Sequence, residues 1–260
     1  MTLLIAGLLG LVEGLTEFLP VSSTGHLILA GRLLGLVQSD FLKSFEIIIQ
    51  LGAILAVVVL YWKQLWSWPT IKKLFVAFLP TAIIGFAAYK LVKTYLLGSE
   101  QVVLGALFLG GVAIICFEWW FKTRPTKRLS IEATEMGQPT YKQAAAIGLF
   151  QAVAIIPGVS RSAATIIGGL WLGLSRPTIV EFSFLLAVPT MLAATGLDLV
   201  KNFNQFSADQ FDLLAVGFLV SFIVALGAIK FLLSYVRRYD FTPFGVYRIA
   251  IALLFWLLII

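Results

Sequence analysis

The chain has 260 residues, 60% of them hydrophobic and only 12% charged, with a mean hydropathy of +0.99. A soluble domain carries about 25% charged residues, so an ordinary soluble fold is excluded and an all-α integral membrane protein is expected. The formal charge of +6 then reads as basic loops held on one side of a membrane, with no nucleic-acid partner.

The apolar residues fall in blocks of roughly 17–22, the length a helix needs to cross about 30 Å of hydrocarbon. The residue-by-residue alternation of an outer-membrane barrel is absent. Residues 2–18 are apolar, stop at Pro20, and pass through Ser22, Ser23 and Thr24 into a second apolar stretch, 25–36. Neither piece spans comfortably alone, and the break is made of helix-capping residues. A re-entrant helix–loop–helix is expected there. No basic region leads it, and Glu13 and Glu17 interrupt it, so a cleaved signal peptide is not expected. Spanning helices are predicted over 45–62, 75–95 and 102–121, followed by a polar linker, 122–142, rich in Lys and Arg. Cys116 has no second cysteine to pair with and reads as a packing or lipid-facing residue.

After the linker the pattern restarts. GLVEGLTEFLPVSSTGH at 10–26 aligns with GLFQAVAIIPGVSRSAA at 148–164. A shift of 138 puts Glu13 on Gln151, Ser22 on Ser160, Ser23 on Arg161, Thr24 on Ser162, Gly31 on Gly169 and Gly35 on Gly173. Similar shifts pair Phe45 with Phe182 and Lys90 with Lys230. Agreement across several segments signals an internal duplication. The second half is predicted as a broken pair over 143–174 and spans over 181–200, 213–234 and 244–260. Each half then has three crossings, an odd number, so the two must enter the membrane from opposite faces. The expected architecture is two inverted-topology repeats, 1–121 and 143–260, in one membrane domain. Lys63, Lys72, Lys73, the linker cations, Arg176, Arg237 and Arg238 then share one side, which the positive-inside rule makes cytoplasmic, with both termini outside.

Ionisable groups near a bilayer centre cost roughly 2.5–3.5 kcal/mol each on insertion scales. Glu13, Glu17 and His26, the only histidine, crowd into one broken segment, which suits a wet cavity and a reaction site. The i, i+4 spacing of Glu13 and Glu17 puts both carboxylates on one helix face, where they either raise one another's pKa or share a divalent cation. Ser22, Ser23, Thr24 and Gly25 form an N-cap pattern, and a capped helix start with free N–H groups is also an anion site. His26 stands within one turn of Ser23, as general acid/base or as phosphoryl acceptor. PGVSRSAAT at 157–165 supplies a cation, Arg161, between Ser160 and Ser162 inside apolar flanks; a buried guanidinium there suits a phosphate. Glu46 and Gln50 repeat the i, i+4 polar spacing in another span and either support the site or bond between helices. Together these groups describe a membrane-embedded site for a phosphorylated substrate, with Glu13 and Glu17 as candidate ligands of Mg²⁺ or Ca²⁺.

EGLTEFLPVSSTGH, FEIIIQLGAILAVV, PGVSRSAAT and EFSFLLAVP resemble the signature blocks of the bacterial undecaprenyl pyrophosphate phosphatases, the bacitracin-resistance family. The resemblance spans essentially the whole chain. It implies removal of the terminal phosphate from undecaprenyl diphosphate, recycling the lipid carrier of peptidoglycan precursors. It further implies divalent-metal dependence, an inverted-repeat fold and residence in the bacterial inner membrane with the site opening outward. Carried over by motif position, the acidic pair is Glu13 and Glu17, the catalytic serine Ser23, the histidine His26, and the arginine Arg161 flanked by Ser160. The implied partners are the polyprenyl diphosphate and membrane lipids, and a homodimer is compatible with them. A carrier of polyprenyl phosphate, using the same residues, is the alternative expectation.

Overall fold

The computed structural model describes residues 1–37, 39–96, 99–123, 138–202 and 210–259, and every regular element among them is helical. Of the expected linker over 122–142, residues 124–137 lie outside the described residues.

The first apolar segment forms α1 (Leu3–Thr16) and α2 (Ser23–Leu33), separated by a turn. Three long helices follow, α3 (Asp40–Leu65), α4 (Trp68–Leu91) and α5 (Glu100–Lys122), with a π-helical turn over Val92–Leu96 after α4. The second broken pair is α6 (Tyr141–Ala152), a 3-10 turn (Val153–Ile155) and α7 (Arg161–Trp171). It leads into α8 (Arg176–Asn202), α9 (Phe211–Val236) and α10 (Thr242–Ile259). Each expected element exists, but α3 and α4 begin earlier than the predicted 45–62 and 75–95. Hydropathy marks the apolar stretch, whereas helical hydrogen bonding runs on into amphipathic ends. Ser39 caps α3 by accepting the Leu42 N–H, and α4 starts at Trp68, ahead of Lys72 and Lys73.

Among the described residues, five helices are long and apolar enough to cross a membrane: Phe41–Leu65, Trp68–Ala88, Glu100–Lys122, Arg176–Gly196 and Phe211–Val236. The stretch over Thr242–Leu258 is shorter and is interrupted by Arg248. Phe86, Leu109, Ile223 and Leu257 are exposed along these helices, and Trp62, Trp66 and Trp68 cluster where α3 turns into α4. Large side chains turned outward on this scale, with tryptophans at helix ends, are the surface of a multi-pass membrane protein.

Both short helices stop in the same way. Gly35 (φ 65°) and Gly173 (φ 88°) follow α2 and α7 in the left-handed region, which glycine enters without steric cost. Gly35 N–H bonds to Arg32 O and Leu36 N–H to Gly31 O, while Gly173 N–H bonds to Leu170 O and Leu174 N–H to Gly169 O. Each is a Schellman cap, satisfying carbonyls the helix end leaves open.

The broken pairs are packed against helices from the other half of the chain. A Cβ on Gly10 of α1 would stand 2.4 Å from Gly217 O of α9, and one on Gly148 of α6 would stand 2.0 Å from Ala77 O of α4. Backbone meets backbone at both contacts because neither glycine has a side chain. The main core is drawn from α3 through α9, and Phe18 adds to it an edge-to-face contact with Phe184, ring centroids 5.2 Å apart. A buried bidentate pair, Arg176 to Glu118 at 2.5 and 2.7 Å, joins α8 to α5, and Glu118 also accepts the Phe241 N–H ahead of α10.

Candidate active site

Two serines hold unusual backbone angles where the broken pairs restart as helices. Ser22 (φ 73°, ψ 95°) precedes α2 and Ser160 (φ 75°, ψ 115°) precedes α7. Among the described residues they are the non-glycine positions with positive φ, a conformation costing on the order of 1–3 kcal/mol. Each caps its helix, Ser22 Oγ accepting from Gly25 N–H at 3.4 Å and Ser160 Oγ from Ala163 N–H at 3.2 Å. The strain is held where two helix N-termini, with their partial positive charge, are brought to one place.

Glu17, Ser23 and Arg161 meet there. The Ser23 hydroxyl donates to Glu17 Oε2 at 2.5 Å, and Arg161 Nη2 donates to Glu17 Oε1 at 3.2 Å. Arg161 Nη1 donates to Ser183 O at 2.8 Å. Thr165, one turn after Arg161, shares a 2.7 Å hydrogen bond with the Ser183 hydroxyl and donates to Arg161 O. The guanidinium is therefore fixed from both sides, with its Nε–H buried and unpartnered. All three residues line one cleft that also takes in Ser22, Thr24 and Ser160. The lining also includes uncharged polar side chains among apolar ones. There Gln151 Nε2 donates to Thr81 and Thr190 at 2.9 and 3.2 Å, and Gln50 also lines the cleft.

The remaining expected residues are placed as follows. Glu13 is fully buried, and neither carboxylate oxygen has a hydrogen-bond donor; its charged neighbours are Glu17, Glu46 and Arg161. Thr24 is exposed at the cleft, and Gly25 packs against Leu107. Ser162 is fully buried and donates to Leu19 O at 2.8 Å, stitching the start of α7 to the first turn. Ser23 and His26 share no hydrogen bond. His26 Nδ1 lies 2.8 Å from Ser22 O, and Nε2 lies 2.8 Å from the Tyr247 hydroxyl, the two rings stacked. The Ser22 carbonyl, which also accepts the His26 backbone N–H at 3.2 Å, and a phenol from α10 occupy both ring nitrogens, while the Ser23 hydroxyl is directed to Glu17.

Sequence reasoning missed Ser183, Thr165 and Tyr247, and assigned Gln151 no role beyond its alignment with Glu13. A signal existed for Ser183, which sits in the EFSFLLAVP block, and for Thr165, which closes PGVSRSAAT. Tyr247 is an ordinary polar residue in an apolar helix, and only the packing shows what it faces.

The fold and cleft define a multi-pass helical membrane protein with a buried acid–serine–guanidinium cluster between two interrupted helix pairs. Residues 6–254 match the family profile described as "Bacitracin resistance protein BacA", and the chain belongs to that family. It is 53% identical over 249 residues to an undecaprenyl-diphosphatase of Wolinella succinogenes, covering 95% of this chain and 94% of the relative. It is 50% identical over 260 residues to an undecaprenyl-diphosphatase of Bdellovibrio bacteriovorus, covering 100% of this chain and 97% of the relative.

Proposed function

We infer that this protein is an undecaprenyl-diphosphatase, a membrane hydrolase that removes the terminal phosphate of undecaprenyl diphosphate. Family membership and full-length relatives of that name support the assignment. The observation that carries it chemically is the convergence of Glu17, Ser23 and Arg161 in one cleft.

The diphosphate enters the cleft with its distal phosphate at the N-termini of α2 and α7. Arg161 donates its free Nε–H to a phosphate oxygen, and the opened backbone N–H groups add to the anion site. Ser23 Oγ attacks the distal phosphorus while Glu17 takes its proton. The bond from phosphorus to the bridging oxygen breaks, undecaprenyl phosphate leaves, and Ser23 carries the phosphoryl group. Water then attacks that phosphorus, Ser23 Oγ leaves and recovers its proton from Glu17, and the phosphate departs with the water's oxygen and both of its protons as dihydrogen phosphate. Arg161 orients Glu17 and neutralises charge gathering on the equatorial oxygens. His26 and Tyr247 hold the first turn through Ser22 O.

A divalent cation fits the residues present. Glu13 is a buried carboxylate without a donor beside a second carboxylate, so the cluster is short of positive charge. Among the described residues no three His, Cys, Asp or Glu side chains form a protein cage. Mg²⁺ needs only one or two carboxylates when phosphate oxygens complete its shell, and Glu13 and Glu17 would hold it. Bound there, the ion would neutralise charge on the diphosphate.

Two inverted repeats are the architecture that best accounts for the paired features. Ser22 and Ser160 share a rare backbone conformation, Gly35 and Gly173 share a cap, and Gly10 on Gly217 mirrors Gly148 on Ala77. The basic loops then face the cytoplasm and the cleft opens on the outer face of the inner membrane. The test is phosphate release from undecaprenyl diphosphate by purified protein in detergent. Release that a chelator abolishes is expected. A lipid carrier without hydrolytic activity would release none.

A further inference from the structure

Arg248 lies in the middle of α10 and is 0% exposed, the largest side chain among the fully buried ones. Its five N–H donors meet five carbonyl oxygens. Nε donates to Leu107 O at 3.3 Å, Nη1 to Pro20 O at 3.2 Å and Val159 O at 2.9 Å, and Nη2 to Ala106 O at 3.0 Å and Gly158 O at 2.9 Å. That is the full donor capacity of a guanidinium.

The identity of the acceptors gives the arrangement its meaning. Pro20 belongs to the first turn, three residues before Ser23; Gly158 and Val159 belong to the second, up to three residues before Arg161. Both turns break a helix inside an apolar protein, so their carbonyls have no helical donor. A single planar group answers three of them and anchors the set to α5 through Ala106 and Leu107. Gly110 makes the space: a Cβ there would lie 2.1 Å from Arg248 Nη2.

We propose that Arg248 is a positioning residue for phosphoryl transfer, a clamp that sets the distance between the turn carrying Ser23 and the turn carrying Arg161. It touches neither substrate nor reacting atoms. Ser162 bonding to Leu19 O is a second, weaker stitch between the same turns, but it spans one acceptor where Arg248 spans both turns and α5. Lysine cannot replace it, because an ammonium offers three donors from one point and no planar fork.

The inference rests on the phosphatase reading, and wild-type protein assayed alongside separates the two. Arg248→Lys and Gly110→Ala are purified in detergent, and kcat and KM for undecaprenyl diphosphate are measured per mole of folded protein, with thermal midpoints. Gly110→Ala pushes on the guanidinium while leaving every charge and every group of the mechanism in place. Misplacing reacting groups by about 1 Å can cost about 10²-fold in rate, so kcat is expected to fall by that order in Arg248→Lys, with KM little changed. A smaller fall in kcat is expected in Gly110→Ala. A purely structural role would lower the midpoint and leave kcat of the folded fraction alone, and that result in both variants overturns the clamp. Should Arg248→Lys fail to fold, Gly110→Ala decides alone, and wild-type kcat in it overturns the proposal. Absence of phosphate release by the wild type would instead overturn the phosphatase reading.

Discussion

Arg161 Nη2 meets Glu17 Oε1 at 3.2 Å across 144 positions of the chain, and the two side chains are only 11% and 5% exposed. Burying an ion pair removes two charges from water, and the attraction gained often does no more than offset that cost. Stability is therefore a weak reason for this pair. Its geometry suits the proposed catalysis better: Arg161 leaves one Glu17 oxygen to Ser23, and its own Nε–H is buried without a protein partner.

Arg161→Lys should show this directly. An ammonium keeps the charge but cannot bond to Ser183 O and Glu17 while presenting a third N–H in the same plane. Loss of one such donor costs about 10²–10³-fold in other acyl- and phosphoryl-type sites, and a fall of that order in kcat/KM is expected. Turnover close to wild type would remove Arg161 from the mechanism.

Ser23→Ala tests the nucleophile. Losing a nucleophile that works as a unit with its base is expected to cost at least about 10³-fold in kcat. Acid quenching of the wild type with substrate labelled in the distal phosphate should trap label on Ser23. A Ser23→Ala enzyme with only mildly reduced activity, and no trapped label, would mean that Ser23 is not the nucleophile.

Gly148 offers a test of the packing that holds the site. A side chain there would run into Ala77 O and Pro80. Overpacking costs about 1–3 kcal/mol, or about 2–4 °C in thermal midpoint per kcal/mol at this size. Gly148→Val is expected to melt lower by that amount, whereas Gly227→Ala, with nothing within 4 Å, is not. Equal midpoints for the two would show that α6 does not depend on close approach to α4.

Much of this was legible before any coordinates. The apolar blocks place the helices because crossing a membrane demands length. The charges in EGLTEFLPVSSTGH and PGVSRSAAT point to a site because nothing else justifies their cost in lipid. What stayed hidden depends on which faces meet. His26 stands one turn from Ser23 in sequence, yet Tyr247, 221 positions away, decides where its ring points. Arg248 drew no reading from the sequence, because its five acceptors lie in three separate segments. Spacing along one helix is local information, whereas these contacts are set by packing between halves.

Asp240, in the loop before α10, ties stability to pH. Burial pushes its carboxyl up, but hydrogen bonds from Lys122 and Thr242 outweigh that and leave it below the usual range. A depressed folded value means the Lys122–Asp240 bridge, 2.5 Å long, stabilises above the unfolded pKa of about 3.9 and is lost as pH falls through the folded one. Partly exposed pairs contribute about 0.2–1 kcal/mol. Asp240→Asn should therefore melt slightly below wild type near neutrality, and the two curves should converge in acid. A gap that persists at the lowest pH would mean the bridge is not its source.

Glu13 carries the proposal of a metal. Its two oxygens are buried without a donor, an arrangement that is costly unless a cation or a proton completes it. With a cation there, chelator should abolish phosphate release, and added Mg²⁺ or Ca²⁺ should restore it. Glu13→Gln should then raise the metal concentration giving half-maximal rate by at least about 10-fold, the scale on which lesser changes around metal sites act. With a proton there instead, Glu13→Gln mimics the resident state, and both the rate and its metal dependence stay as in wild type. The two outcomes separate cleanly, because the amide keeps the shape of the side chain and removes only its capacity to bind a cation as a charged ligand.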